Sequence, residues 1–231
     1  MLKFLFTLFI PIFEFNIYNM ATYESVIKIT GAVGDLVFYN LNGKNVVRKK
    51  SGFNKTAFKK NPSYEKVRQN SSEFGHCSKV GKIIRTCLDF YIKKAGEPLL
   101  YQRFAKLMTE IKDLDTISER GKRTVENGLQ TENGKKLLRQ FQFGSIKNIA
   151  INIEIEKQVL LINGIKEIDK AVILTIKLDS ENLMTEYYEE EVLLNHDEEI
   201  SFKEHFGKAD FRLYFVALKN ENNEILQMGF I

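Results

Sequence analysis

Cysteine is scarce in this sequence: two in 231 residues, Cys77 and Cys87. Both fall in a segment with a helical pattern, where ten residues span about 15 Å at 1.5 Å per residue. A disulfide needs Cα atoms within about 7 Å. Free, mostly buried thiols are therefore predicted, which suits a reducing, cytoplasmic compartment. Long apolar runs are also missing. Phe4–Phe13 is too short for a membrane-spanning helix, which needs about 20 apolar residues, so no transmembrane span is expected. Internal repeats and low-complexity tracts are absent, which sets aside repeat arrays. Catalytic signatures are lacking too. Gly31-Ala32-Val33-Gly34 has neither the Lys-Ser/Thr nor the strand–loop–helix context of a phosphate loop, and reads as a turn. Cys77 adjoins His76, but neighbouring helical residues point about 100° apart, so they make no nucleophile–base pair. Paired catalytic acids, a triad order and recognised metal-ligand spacings are not found. No catalytic residue, no cofactor and no metal site is expected, and an enzyme is the third-ranked reading. The cluster His196, Asp197, Glu198, Glu199, Glu204 and His205 reads as a polar inter-strand loop.

Residues 1–20 admit two readings. Met1-Leu2-Lys3 followed by Phe4–Phe13 resembles an export signal, but Pro11, Glu14 and Asn16 interrupt it and no A-x-A site follows. Alternatively, translation starts at Met20, and the apolar leader is no part of the protein. The first reading implies export, the second a cytoplasmic chain.

The chain is organised around residues 61–114. Asn61-Pro62 is a helix start, since Asn caps free amides and Pro is tolerated in the first turn. Val67, Phe74, Cys77, Val80, Ile84, Cys87, Leu88 and Tyr91 then recur mostly at spacings of three, four and seven, a buried helical stripe. Gly75 and Gly81 each cost about 1 kcal/mol against Ala. Close approach of another backbone is the favoured reason, and a break at Gly75 the alternative. Gly96-Glu97-Pro98 ends the element. A second helix follows, with Leu100, Phe104, Leu107, Met108, Ile111 and Leu114 on one face. The short connection makes the two helices antiparallel neighbours. Residues 119–130 read as a polar, Gly-broken loop with room for one helical turn, and Glu132–Phe141 as a short helix.

Strand patterns flank this region. Before it lie Val26–Ile29 and a hairpin of Leu36–Asn40 with Asn45–Lys49 around Asn42-Gly43, which accept positive φ. Residues 51–60 read as a basic linker whose Phe53 and Phe58 are the candidate base-stacking aromatics. After it come Ile149–Ile155, Val159–Ile162, Ala171–Leu178, Leu183–Tyr188, Glu191–Leu194, Phe211–Leu218 and Ile225–Phe230. Glu189-Glu190-Glu191 reads as a strand end or turn. The expected fold is α+β: an N-terminal β-hairpin, a central antiparallel helical region, and a C-terminal antiparallel β-sandwich-like domain. The expected division is a leader over 1–20, a hairpin-plus-helix region over 21–145 and a β domain over 146–231.

The segments VIKITGAVG (26–34), DLVFY (35–39), Val47-Arg48, Asn61-Pro62, NSSEFG (70–75) and KVGKIIR (79–85) resemble a family of uncharacterised proteins from Bacteroidota. That family shares a G-x-x-G-x-x-x-F-Y hairpin followed by an EFG…K-x-G-K-x-x-R helix. Leu107–Ile111, Arg120-Gly121, Arg123 and Val125 extend the likeness, which covers about residues 25–145. The family begins at a position matching Met20, which favours the later start. The resemblance implies no activity and transfers no functional residue.

Charge is distributed unevenly. Residues 41–150 hold 24 basic and 10 acidic residues, a net of +14, whereas 151–231 hold 8 and 17, a net of −9. The basic half offers Lys79, Lys82, Arg85, Lys93, Lys122, Arg123, Lys135 and Lys136 as candidate nucleic-acid-binding residues, because phosphate backbones bind such charge without special geometry. The opposing possibility is a solvated face neutralised by the acidic half. The leading expectation is a non-catalytic binding, structural or assembly protein of unknown partner. A nucleic-acid-associated protein is the alternative, and a homo-oligomer is compatible with either.

Overall fold

A computed structural model describes residues 20–25, 28–50, 52, 54–149, 153–156, 159–162, 168–194 and 199–231. Residues 1–19, Val26, Ile27, Phe53 and residues 195–198, expected to form an inter-strand loop, lie outside the described residues. Contacts divide the chain at Phe58/Lys59 into two compact units.

In the first unit, β1 (Met20–Thr22), β2 (Gly31–Val33), β3 (Leu36–Leu41) and β4 (Lys44–Lys49) form an antiparallel sheet ordered β1-β4-β3-β2. The expected hairpin is its centre: Asn42 (φ 51°) and Gly43 (φ 83°) make the turn, and Val37 pairs Arg48. Two further strands complete it, consistent with the marginal stability of an isolated hairpin. The Gly31–Gly34 turn is corrected: Gly31–Val33 is strand, and only Gly34 (φ 58°) enters the reversal with Asp35. Residues 28–30 are not strand. The linker contains α1 (Lys55–Lys60), whose first amides at Thr56 and Ala57 donate to Asn54 Oδ1.

In the second unit the helices are α2 (Glu65–Cys87), α3 (Asp89–Ala95), α4 (Leu100–Lys112), α5 (Val125–Gln130) and α6 (Glu132–Arg139). Asn61 Oδ1 accepts from Ser63 N, capping a short 3₁₀ turn at Pro62–Tyr64 that leads into α2. Helix α2 runs unbroken through Gly75 and ends at Cys87, and the helical path resumes as α3 after Leu88. Glu73 reaches Lys112 while Gly81 faces Met108 and Phe104, so α2 and α4 are antiparallel. The reading that another backbone approaches the two glycines is corrected for both. A Cβ on Gly81 would lie 3.1 Å from Met108 Cγ, a side chain rather than a backbone, and one on Gly75 would meet nothing within 4 Å. The backbone contacts fall elsewhere: at Gly128 a Cβ would sit 2.0 Å from Ile111 O, and at Gly134 2.0 Å from Gly128 O. The predicted 119–130 loop therefore ends in a helix, α5, with Val125 and Leu129 fully buried.

The strands are β5 (Ile153–Glu156), β6 (Val159–Ile162), β7 (Lys170–Asp179), β8 (Met184–Leu193), β9 (Glu199–Ser201), β10 (Arg212–Lys219) and β11 (Ile225–Phe230). They form an antiparallel four-stranded sheet, β11-β10-β7-β8, and a three-stranded sheet, β5-β6-β9. Central strands β7 and β10 read as near-continuous apolar runs because both their faces are buried. Val172, Leu174, Ile176 and Leu178 join the helices in one hydrophobic cluster, while Ala171 and Ile173 pack with Leu160 of β6 and Phe202 in a second. The result is an α+β fold of helices, sheet and a smaller sheet. Phe143, Phe215 and Phe230 join helices to sheet, with Phe143–Phe215 centroids 5.3 Å apart and Phe215–Phe230 5.5 Å apart. Since helices and C-terminal strands share one core, residue 145 does not separate two cores. The reading of Glu189-Glu190-Glu191 as a strand end or turn is also corrected. These residues lie within the single strand β8, opposite Leu174, Ile173 and Val172, at an edge that charge protects from pairing with other chains.

Candidate nucleic-acid interface

The face of α2 turned to α4 carries a buried carboxylate. Glu73, only 2% exposed, accepts from Arg123 Nε (2.8 Å) and Nη2 (2.7 Å), Lys112 Nζ (2.9 Å) and Gly121 N (2.6 Å). The Arg123 guanidinium, aided by Lys112 and the Gly121 amide against the effect of burial, lowers Glu73 to about 2. Asp113 also accepts from Lys112 and pairs Arg123 at 3.0 Å. Burial opposes the charge on Lys112, yet Asp113 and Glu73 together raise its pKa above the ordinary lysine value. Asp115 organises the following loop by accepting from the amides of Ile117, Ser118 and Thr124 and from Asn127 Nδ2. Burial disfavours its charge, but these donors hold it well below the usual carboxylate range. The network fixes the loop between α4 and α5.

Arg123, predicted to bind nucleic acid, is thus occupied internally. Lys93 pairs Asp89, Lys122 pairs Glu119 at 3.3 Å, and Lys135 pairs Glu132 at 2.7 Å. These last three lysines are exposed, and surface pairs of this kind are worth about 0–1 kcal/mol. They remain open to exchange for a phosphate. Lys79, Lys82 and Lys136 are exposed and have no carboxylate partner among the described residues. No ion pair among the described residues joins the acidic sheet to the helical half. The sheet's acids pair within the sheet and its loops, as in Lys177–Asp210 (3.2 Å), Arg212–Glu204 (3.0 Å) and Lys219–Glu191 (3.1 Å).

Arg85 differs from the others. It is half-buried, its Cζ lies 5.7 Å from the Phe104 ring centroid, and its Nη1 is sealed from solvent without an acceptor. Burial lowers its pKa from the ordinary arginine value. Arg85 lines an open cleft of about 480 Å³ with Lys82, Thr86, Ile92 and Tyr101, where the end of α2 meets α3 and the start of α4. Tyr101 is 53% exposed, and Phe74 and Phe90 are 61% and 55% exposed. These aromatics were missed as stacking candidates. Tyr101 is off the apolar face of α4, a position that sequence spacing marks as solvent-facing. Of the two linker aromatics considered instead, Phe58 is half-buried. A second cleft, between α6 and β10, holds about 230 Å³ and is lined by Lys135, Arg139, Arg212 and Tyr214 among others. That is below the usual range of about 300–1,000 Å³ for small-molecule pockets.

Cys77 and Cys87 are free and buried. Burial pushes the Cys77 thiol up to about 11 and raises Cys87 as well. His76 Nε2 accepts from Val125 N at 3.4 Å, and burial lowers the His76 pKa below its ordinary value. Neither thiol should react with Ellman's reagent at pH 8 in the folded chain within minutes, and both should react at once in denaturant. Rapid titration of one thiol in the native protein would show that the packing around it is not as described. Among the described residues no group of three or more His, Cys, Asp or Glu could hold a metal, and no helix is long and apolar enough to cross a membrane. His205 stacks on Tyr188 at 4.3 Å, beside Glu190 at 3.3 Å, whereas His196, Asp197 and Glu198 lie outside the described residues.

No protein-family model matches the chain, no curated protein is significantly similar to it, and no solved structure matches it significantly.

Proposed function

We propose that this chain is a binding protein that carries out no covalent chemistry. The support is the use made of its perturbed ionisable groups. Glu73, Lys112, Arg123 and Asp115 satisfy one another or nearby amides, and the thiols are pushed away from the nucleophilic thiolate form.

Association with nucleic acid is the more specific reading. A single observation carries it: Lys79 and Lys82 stand one helical turn apart on the exposed face of α2 with no carboxylate partner among the described residues. Lys136 on α6 adds a charge with no carboxylate partner among the described residues. Filter binding of the full chain to mixed-sequence DNA and RNA is expected to show retention at about 50 mM salt. Retention should fall steeply by about 200 mM, because each phosphate contact contributes nearly one unit to the log–log salt slope. Absence of retention at low salt would remove the nucleic-acid reading and leave a protein partner or a second copy of the chain. Light scattering of the purified protein distinguishes the second copy.

A further inference from the structure

The cleft at the end of α2 combines charge and an exposed ring. We infer that it holds one nucleotide unit of a single-stranded nucleic acid, with the phosphate on Lys82 and Arg85 and the base on the Tyr101 ring. This rests on the nucleic-acid reading of α2.

The charges in the cleft leave room for an anion. Its two carboxylates are partly offset: Asp89 pairs Lys93 at the exposed surface, and Glu97 pairs Arg103 at 2.6 Å. Lys82 and Arg85 have no such partner among the described residues. Arg85 is half-buried: its Nη1 is closed off from solvent, while the side chain lines the cleft with no counter-charge among the described residues. The guanidinium's planar array of donors matches a phosphate better than a lysine ammonium does. Phe104 stabilises the cation from one side through its ring, but supplies no negative charge.

The aromatic component separates a single strand from a duplex. Tyr101 is half-exposed, and its hydroxyl accepts from Gln102 Nε2 at 2.8 Å. Ile92, Pro98 and Leu100 add apolar lining. A base stacked in a duplex has no free face to offer, whereas every base of a single strand has one. The volume, about 480 Å³, lies within the range of ligand-sized sites, and the open side lets a strand continue beyond the cleft.

The test is fluorescence anisotropy of the full chain at low salt with three probes: a thymidine 15-mer, a duplex of the same length, and heparin, a polyanion without bases. Tyr101→Ala is expected to weaken the 15-mer about tenfold, within the range for one stacked base, and to leave heparin unchanged. Tyr101→Phe should restore 15-mer binding. Lys82→Gln and Arg85→Lys should weaken both the 15-mer and heparin. If Tyr101→Ala leaves 15-mer affinity intact, or weakens heparin equally, the stacked base is overturned while the polyanion surface stands. If the unaltered protein binds none of the three, the underlying reading fails as well.

Discussion

Gly128→Ala is expected to lower the unfolding free energy by more than about 3 kcal/mol, an unusually large effect for one methyl group. The added Cβ would lie 2.0 Å from Ile111 O and 2.7 Å from Ile111 C. Both atoms are backbone, so no rotamer change relieves the contact, and α5 would have to move away from α4. Val125 and Leu129, both fully buried on α5, would move with it. With total stabilities of about 5–15 kcal/mol for ordinary domains, such a loss removes a large share of the folding free energy. Gly75→Ala is the control. Its Cβ would meet nothing within 4 Å, so removing a helical glycine should stabilise the protein by up to about 1 kcal/mol. Urea unfolding followed by circular dichroism measures both. Equal midpoints for Gly128→Ala and the unaltered chain would refute the α4–α5 contact.

Glu73→Gln is expected to cost about 3–5 kcal/mol at pH 7, the usual consequence of removing one partner from a buried ion pair. Lys112, 4% exposed, would keep only Asp113, and Arg123 would lose its two-nitrogen contact. The effect should depend on pH. The folded-state carboxylate is lowered from 4.5 to about 2, chiefly by Arg123. Its stabilisation, about 3 kcal/mol, is therefore complete above pH 4.5 and is lost as pH falls from there toward 2. Asp115 is lowered too and adds a loss in the same direction. Urea titrations at pH 7 and pH 3 should show the gap between the unaltered chain and Glu73→Gln narrowing at the lower pH. A gap of the same size at both values would mean that Glu73 is not the charged centre of the network.

The helices are legible because their stripes repeat at three and four residues, although Val67 and Phe74, placed in the buried stripe, are exposed; the Asn42-Gly43 turn is legible because few other residues accept its backbone angles. Strands β7, β10 and β11 followed from apolar runs bounded by turn residues. Where reading failed, the deciding contact was distant in sequence. Gly128 looks like a helix breaker until Ile111 O is seen against it. Glu189–Glu191 look like a strand end or turn because charged runs are depleted in strands, and only pairing with β7 reveals them as the middle of an edge strand. The division near residue 145 followed the switch of period from four to two, whereas Phe143, Phe215 and Phe230 join both sides in one core. The candidate interface was legible in part. The cations could be counted, but Arg123 is occupied by Glu73, which the spacing of 50 residues concealed. Arg85 gains its distinct character from Phe104 on another helix, and Tyr101 enters the cleft only when α4 folds back beside α2.

The proposed binding surface consists of the α2 cations that lack a carboxylate partner among the described residues, and not of the paired cations of the sheet. Lysine acetylation read by mass spectrometry, with and without a saturating single-stranded oligonucleotide, tests it directly. Lys79 and Lys82 should lose several-fold in modification when the strand is bound, while Lys170, Lys177 and Lys219 stay unchanged. Protection confined to the sheet lysines, or equal at all positions, would contradict the account.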